Sequence, residues 1–177
     1  MSAAACLALG TPPANATHGS CYDSASNKST WFISGGVPSE WTTALVNGAL
    51  VWDNVPNQSH DFVRYQSGPA DWNAYRGSID GYQGTFAIAT GDHAAVKFDS
   101  GETWHLNVNV DPGSSLDLWS VAAHEFGHIL SLAHSDACYG VGSWGSGAPT
   151  MFAGYDYGLK WFRTLETYDV NHIQTIY

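Results

Sequence analysis

Residues 121–134 read Val121-Ala122-Ala123-His124-Glu125-Phe126-Gly127-His128-Ile129-Leu130-Ser131-Leu132-Ala133-His134. The spacing of Leu118, Val121, Ala122, Ile129 and Leu130 gives one apolar side to a helix that runs through the first two histidines. Four residues apart on that helix, His124 and His128 project from the same face, where two imidazoles can share a metal ion. Glu125 lies about 100° further round, near enough to reach a water on that ion without becoming a ligand, which is the placement of a general base. A catalytic zinc ion takes three protein ligands and keeps a fourth position open. His134 is the candidate third ligand, yet an unbroken helix would carry it about 240° away from His128. The helix therefore has to break between them, and Ser131 stands at the break. A left-handed turn there costs a non-glycine residue about 1–2 kcal/mol.

Working outward, Asp111-Pro112-Gly113 ends the preceding segment, and Ser114 with Asp117 resembles a capping box for this helix. From Phe62 to Val110 the pattern is β-like, with Phe62–Tyr65, Thr85–Ala89, Ala94–Phe98 and Trp104–Val110 as candidate strands, joined by an earlier strand at Trp31-Phe32-Ile33. Between these, Ser39 offers an N-cap to a helix whose stripe is Trp41, Leu45, Ala49 and Trp52. Residues 135–150 are rich in Gly and Ser, and a C-terminal helix within 164–177 presents Val170, Ile173 and Ile176. Residues 1–29 are expected to form an irregular N-terminal segment containing Pro12 and Pro13, and residues 30–177 one domain.

Six Lys+Arg against 16 Asp+Glu give 177 residues a net charge of −10, which argues against nucleic acid and anionic membrane surfaces as partners. No stretch is long and apolar enough to span a bilayer, and Met1–Gly10 has no basic run ahead of its short apolar one, as in a mature or trimmed form. The small share of Lys and the absence of basic tracts suit an exported protein, and a monomer is expected. Cys6, Cys21 and Cys138 predict one disulfide with a thiol left over, the pairing open.

His124-Glu125-x-x-His128-x-x-Ser131-x-x-His134 resembles the metzincin zinc signature, with Ser131 where that group has Gly, and Pro149-Thr150-Met151-Phe152 resembles its Met-turn. Val121–His128, Leu132-Ala133-His134-Ser135, Phe98-Asp99-Ser100-Gly101-Glu102-Thr103-Trp104, the element ending at Trp52, and Asp169-Val170-x-x-Ile173-Gln174-x-x-Tyr177 narrow the resemblance to the matrixins, over roughly residues 30–177. The resemblance implies an α+β fold, with a twisted, mixed five-stranded sheet and two long helices in an upper part ending near residue 134, and a small lower subdomain, 135–177, holding Met151 and the C-terminal helix. It implies a secreted zinc endopeptidase acting on protein or peptide, in which Glu125 is general base toward a zinc-activated water. It also implies that Tyr155 walls a substrate pocket, the one called S1′.

Where matrixins of the vertebrate type bind a structural zinc, this chain aligns Asn73, Tyr75, Ile88 and Lys97, so no structural zinc is expected. Asp80, Asp99 and Glu102 align with carboxylates of a calcium site, which makes Ca²⁺ the second candidate cofactor. No cysteine-switch segment is present, and Cys6 lacks its surroundings. The interval between His134 and Met151 is lengthened, contains Cys138 and Trp144, and is expected to rim the cleft. Two alternatives accompany the protease: a zinc-bearing module binding glycan or protein through surface aromatics such as Trp72, Tyr75, Tyr82 and Trp144, and a zinc hydrolase acting on a non-peptide substrate. His18, His60, His93, His105 and His172 are read as structural or surface residues, with His93 and His105 as candidates to line the cleft.

Overall fold

Gly48 and Ala122 allow the two long helices to touch. A Cβ at Gly48 would lie 2.7 Å from the Ala122 Cβ, so α1 (Thr42–Asp53) and α2 (Leu118–Ile129) pack with almost no side chain between them. At the same crossing Trp52 donates its indole N–H to the Ala123 carbonyl at 2.8 Å, which fixes the depth of that ring. The computed structural model describes residues 28–107, 109–136 and 147–177. The irregular segment expected over 1–29 falls almost wholly outside the described residues, as do Cys6, Cys21, Cys138, Trp144 and the disulfide predicted among those cysteines.

The first sheet has five strands: β1 (Thr30–Ile33), β2 (Val63–Tyr65), β3 (Trp72–Gly77), β4 (Ala87–Ala89) and β5 (Ala95–Asp99). Their order is β2-β1-β3-β5-β4, parallel throughout except that edge strand β4 runs antiparallel to β5. A second, two-stranded ladder joins β6 (Trp104–His105) to β7 (Leu116–Asp117), immediately before α2. The mixed α+β architecture is thus the one expected, with one strand exchanged. Trp104–Val110 contributes only two strand residues, because local bonds compete with the ladder: the Asn107 side chain accepts the Asn109 N–H at 2.9 Å, and His105 Nε2 meets the Asn107 carbonyl at 2.9 Å. The fifth strand is Trp72–Gly77, between β1 and β5.

An aromatic cluster joins sheet to helix. Trp31 and Trp72 stack at 5.1 Å, and Phe126 of α2 meets them at 5.4 and 4.8 Å. Burying Phe126 in this cluster turns its neighbour Glu125 toward edge strand β4. Trp72 is thereby a core residue, and of the aromatics expected at the surface only Tyr82 is widely exposed among the described residues; Tyr75 is half-buried.

Helix starts differ from the sequence expectation in detail. Ser39–Trp41 form a 3₁₀ turn ahead of α1, so Ser39 is not its N-cap. Asp117, not Ser114, caps α2, accepting the Ser120 N–H at 3.0 Å. The C-terminal helix α3 (Thr167–Ile176) carries a capping box between Glu166 and Asp169.

Gly127 is the second contact that requires a missing side chain, since a Cβ there would run into Met151 Sδ and, at 2.8 Å, Trp52 Cζ2. Gly127→Ala gains about 1 kcal/mol of helix propensity but overpacks a filled site by about 1–3 kcal/mol. The expected net result is a less stable protein, read as a lower urea midpoint at unchanged m-value.

Candidate metal centre and active site

The chain leaves α2 through a left-handed residue. Ser131 has φ 66°, and two bonds close the turn around it: Ser131 N–H to the His128 carbonyl at 2.9 Å and Leu132 N–H to the Gly127 carbonyl at 3.0 Å. This is the helix-ending arrangement that glycine usually serves. It reverses the chain so that His134 comes back over the face bearing His124 and His128.

The three Nε2 atoms converge. His134 Nε2 lies 3.1 Å from His124 Nε2 and 3.1 Å from His128 Nε2. Each helical imidazole has its other nitrogen against a carbonyl: His124 Nδ1 at 2.7 Å from Thr150 O, and His128 Nδ1 at 2.8 Å from Leu132 O. A carbonyl only accepts, so Nδ1 carries the proton and Nε2 presents a lone pair. Burial, reinforced by the neighbouring imidazoles, holds His124 well below the usual histidine range and takes His128 down to about 3. His134 is also lowered, by burial, against the opposing pull of Asp136. All three are therefore neutral, ligand-ready imidazoles near pH 7. Tetrahedral zinc at about 2.0–2.1 Å from each nitrogen sets neighbouring nitrogens about 3.3 Å apart, close to the spacing here. Among the described residues, this is the one group of three His, Cys, Asp or Glu side chains with ligand atoms all within 4.8 Å of one another.

Glu125 is nearly buried beside the triad. Its Oε2 accepts the Ala89 N–H at 2.8 Å, which ties the carboxylate to edge strand β4. Burial pushes its carboxyl up to about 7, with the Ala89 bond pulling the other way.

Beneath the triad, the turn holding Thr150 and Met151 is fastened by the buried Asp169 carboxylate. Asp169 accepts the N–H groups of Thr150 at 2.8 Å, Glu166 at 3.0 Å and Met151 at 3.2 Å. Ser135 N–H bonds to the Met151 carbonyl at 2.8 Å. One carboxylate thus positions the carbonyl that orients His124. The Glu166-x-x-Asp169 spacing signals a helix start, but nothing in it points to Thr150. His93, with φ 56°, places Nδ1 2.8 Å from the His128 carbonyl and so abuts the centre; His105 bonds locally, and His60 lies in the core between Phe62 and Tyr177. Tyr155, fully buried, lines a narrow recess with Val121, His124, Glu125 and Phe162.

The carboxylates aligned with calcium ligands are engaged otherwise. Asp99 spends both oxygens on four backbone N–H groups, those of Ile79, Asp80, Gly81 and Gly101, at 2.8–3.2 Å. Asp80 accepts from the Thr85 N–H at 2.7 Å and hydroxyl at 2.9 Å. Glu102 takes the Tyr157 hydroxyl on Oε2, and its Oε1 is buried without a partner. As folded, these three do not form a group with ligand atoms all within 4.8 Å of one another. Tyr75, Lys97 and Ile88 stand side by side across β3, β5 and β4, while Asn73 donates to Ser34 Oγ at 2.5 Å.

A family model described as Matrixin matches residues 62–177. The chain belongs to the matrixin family. It is 34% identical to human matrix metalloproteinase-20 over 128 residues, 66% of this chain and 24% of that protein. It is 40% identical to mouse stromelysin-3 over 81 residues, 44% of the chain and 14% of that protein, and 35% identical to karilysin of Tannerella forsythia over 88 residues, 46% and 17%. The matches therefore cover a quarter or less of each of these relatives. Family membership supports a metalloprotease function at the level of the family. No helix among its described residues is long and apolar enough to cross a membrane.

Two supports of the matrixin site give measurable consequences. Asp169→Ala strips three backbone donors of their partner, each loss costing about 1–3 kcal/mol where the donor stays buried; a drop of about 3 kcal/mol or more in unfolding free energy is expected by chemical denaturation. For Asp99, burial is the largest single influence and pushes its carboxyl up, but the four N–H bonds together hold it below the ordinary value. Its stabilising contribution is present above the unfolded value of about 3.9 and is lost as pH falls through the lower folded value. The stability gap between parent and Asp99→Asn is therefore expected to be wide at pH 7 and to shrink below about pH 4.

Proposed function

We propose that this protein is a zinc-dependent endopeptidase in which His124, His128 and His134 hold the metal and Glu125 is the general base. The observation that carries the reading is the convergence of three imidazole Nε2 atoms beside a buried carboxylate. A zinc ion held by these nitrogens supplies Lewis acidity toward a water and toward a substrate carbonyl. The side chains do the rest. Thr150 and Leu132 carbonyls keep the imidazoles in the Nδ1–H form, and the Ala89 N–H aims the Glu125 carboxylate. Glu125 takes a proton from the attacking water on a carboxylate oxygen and delivers it to the amide nitrogen that leaves, so water is added across the peptide bond and the base is regenerated.

Protein or peptide as substrate and an extracellular setting belong to the same proposal, supported by family membership and the acidic, Lys-poor composition. Ca²⁺ at Asp80, Asp99 and Glu102 rests on alignment alone; as folded, Asp99 and Asp80 accept from backbone and Thr85 donors. Of the four aromatics offered for the binding-module reading, Trp72 lies in the core and Tyr82 is exposed.

Cleavage of denatured casein tests the proposal. Zinc-loaded parent is expected to cleave, chelator to abolish cleavage, and Glu125→Ala to lose about 10²–10⁴-fold in rate while still binding one zinc per chain by atomic absorption. Undiminished cleavage by Glu125→Ala would refute its role as base.

A further inference from the structure

We infer that Phe162 closes the side-chain pocket beside the catalytic centre, so that one residue flanking the bond to be cut must be Gly or Ala. The inference rests on the endopeptidase reading for the word "cut", and on packing for the rest. The recess lined by Val121, His124, Glu125, Tyr155 and Phe162 opens between a metal ligand and the general base, and it is too narrow to admit a water molecule. Any peptide whose carbonyl lies against Glu125 has its two flanking Cα atoms within about 4 Å of each other, so one flanking side chain points at this recess. The occupant already there is Phe162. It is fully buried, lies nearly parallel to the His124 ring at 6.0 Å and meets Tyr155 at 5.2 Å.

The plug is fastened on both sides. Arg163, the next residue, grips the cap of α2 with Nε 2.9 Å from Asp117 Oδ2 and Nη2 2.5 Å from Asp117 Oδ1, a buried, bidentate pair, and lies over the Trp119 ring at 5.2 Å. Earlier in the same loop, Tyr155 donates its hydroxyl to the Leu159 carbonyl, and Tyr157 donates to Glu102 while packing on Phe86 at 5.6 Å. Swinging Phe162 out would break a buried ion pair or expose an aromatic ring, so the pocket stays shut, and only a side chain that ends at its mouth without entering it, hydrogen or a methyl group, is accommodated.

The test uses binding, which does not need Glu125 chemistry. Zinc-loaded parent, Phe162→Leu and Phe162→Ala are titrated calorimetrically with short peptide hydroxamates that differ only in one side chain: hydrogen, methyl, isobutyl or benzyl. Parent is expected to prefer hydrogen or methyl over isobutyl and benzyl by about tenfold or more, and both variants to erase that order. Phe162→Leu keeps most of the buried volume and guards against misfolding of the alanine variant. Equal or tighter binding of the benzyl compound by the parent, or an unchanged order in both variants, overturns the inference. Size-ordered binding without any cleavage of casein sinks the endopeptidase reading alone, whereas cleavage flanked on both sides by large residues sinks this inference alone. Failure of every hydroxamate to bind any of the three proteins overturns both.

Discussion

His134 Nε2 is held 3.1 Å from the Nε2 atoms of both His124 and His128, and three neutral imidazole nitrogens turned on one point in this way are best satisfied by a cation among them. Everything around the centre works to maintain that arrangement. Burial keeps the rings neutral, carbonyls at Thr150 and Leu132 keep their protons on the far side, and the fold closes over them. Removing charge, fixing the tautomer and gathering the nitrogens are three separate costs, and a divalent cation offsets all of them at once.

The rest of the architecture can be traced from this constraint. A helix supplies two ligands only if its far side is anchored, and Phe126 in the Trp31 and Trp72 stack provides the anchor. The third ligand arrives only if the helix stops within one turn, which Ser131 does at φ 66° by two closing hydrogen bonds. The carbonyl behind His124 stays in place only if the turn beneath it is rigid. Asp169 fastens that turn from α3, so the C-terminal helix is coupled to the metal ligand through a single carboxylate. Small residues at Gly48 and Gly127 let α1 and the Met151 side chain approach α2 closely enough to seal its back.

Much of this was legible in the sequence where one short rule sufficed. The i, i+4 pair, the offset of Glu125 and the need for a break at Ser131 follow from helix geometry alone, and the structure places all four residues accordingly. Both long helices were legible from their apolar stripes. The central strand β3 was not, because Trp72-Asn73-Ala74-Tyr75-Arg76 mixes the strand formers Trp72 and Tyr75 with the helix formers Ala74 and Arg76, and only its tertiary position between β1 and β5 makes it a strand. Trp104–Val110 alternates like a strand and yields to the turn chemistry of Asn107. The supports of the site were hidden for a different reason: Asp169 to Thr150 and Arg163 to Asp117 join residues 19 and 46 apart, and no local pattern encodes such pairs. For Asp80, Asp99 and Glu102, alignment conveyed charge but not that backbone donors would occupy the oxygens.

The claim on which this account stands is that the metal is held by neutral imidazoles through Nε2. X-ray absorption at the zinc edge measures it most directly on the zinc-loaded protein. Three nitrogen neighbours at about 2.0–2.1 Å with the outer-shell scattering of imidazole rings is the expected spectrum. A sulfur neighbour at about 2.3 Å, or fewer than three imidazoles, would mean that the convergence of His124, His128 and His134 is not the metal centre and would contradict the account.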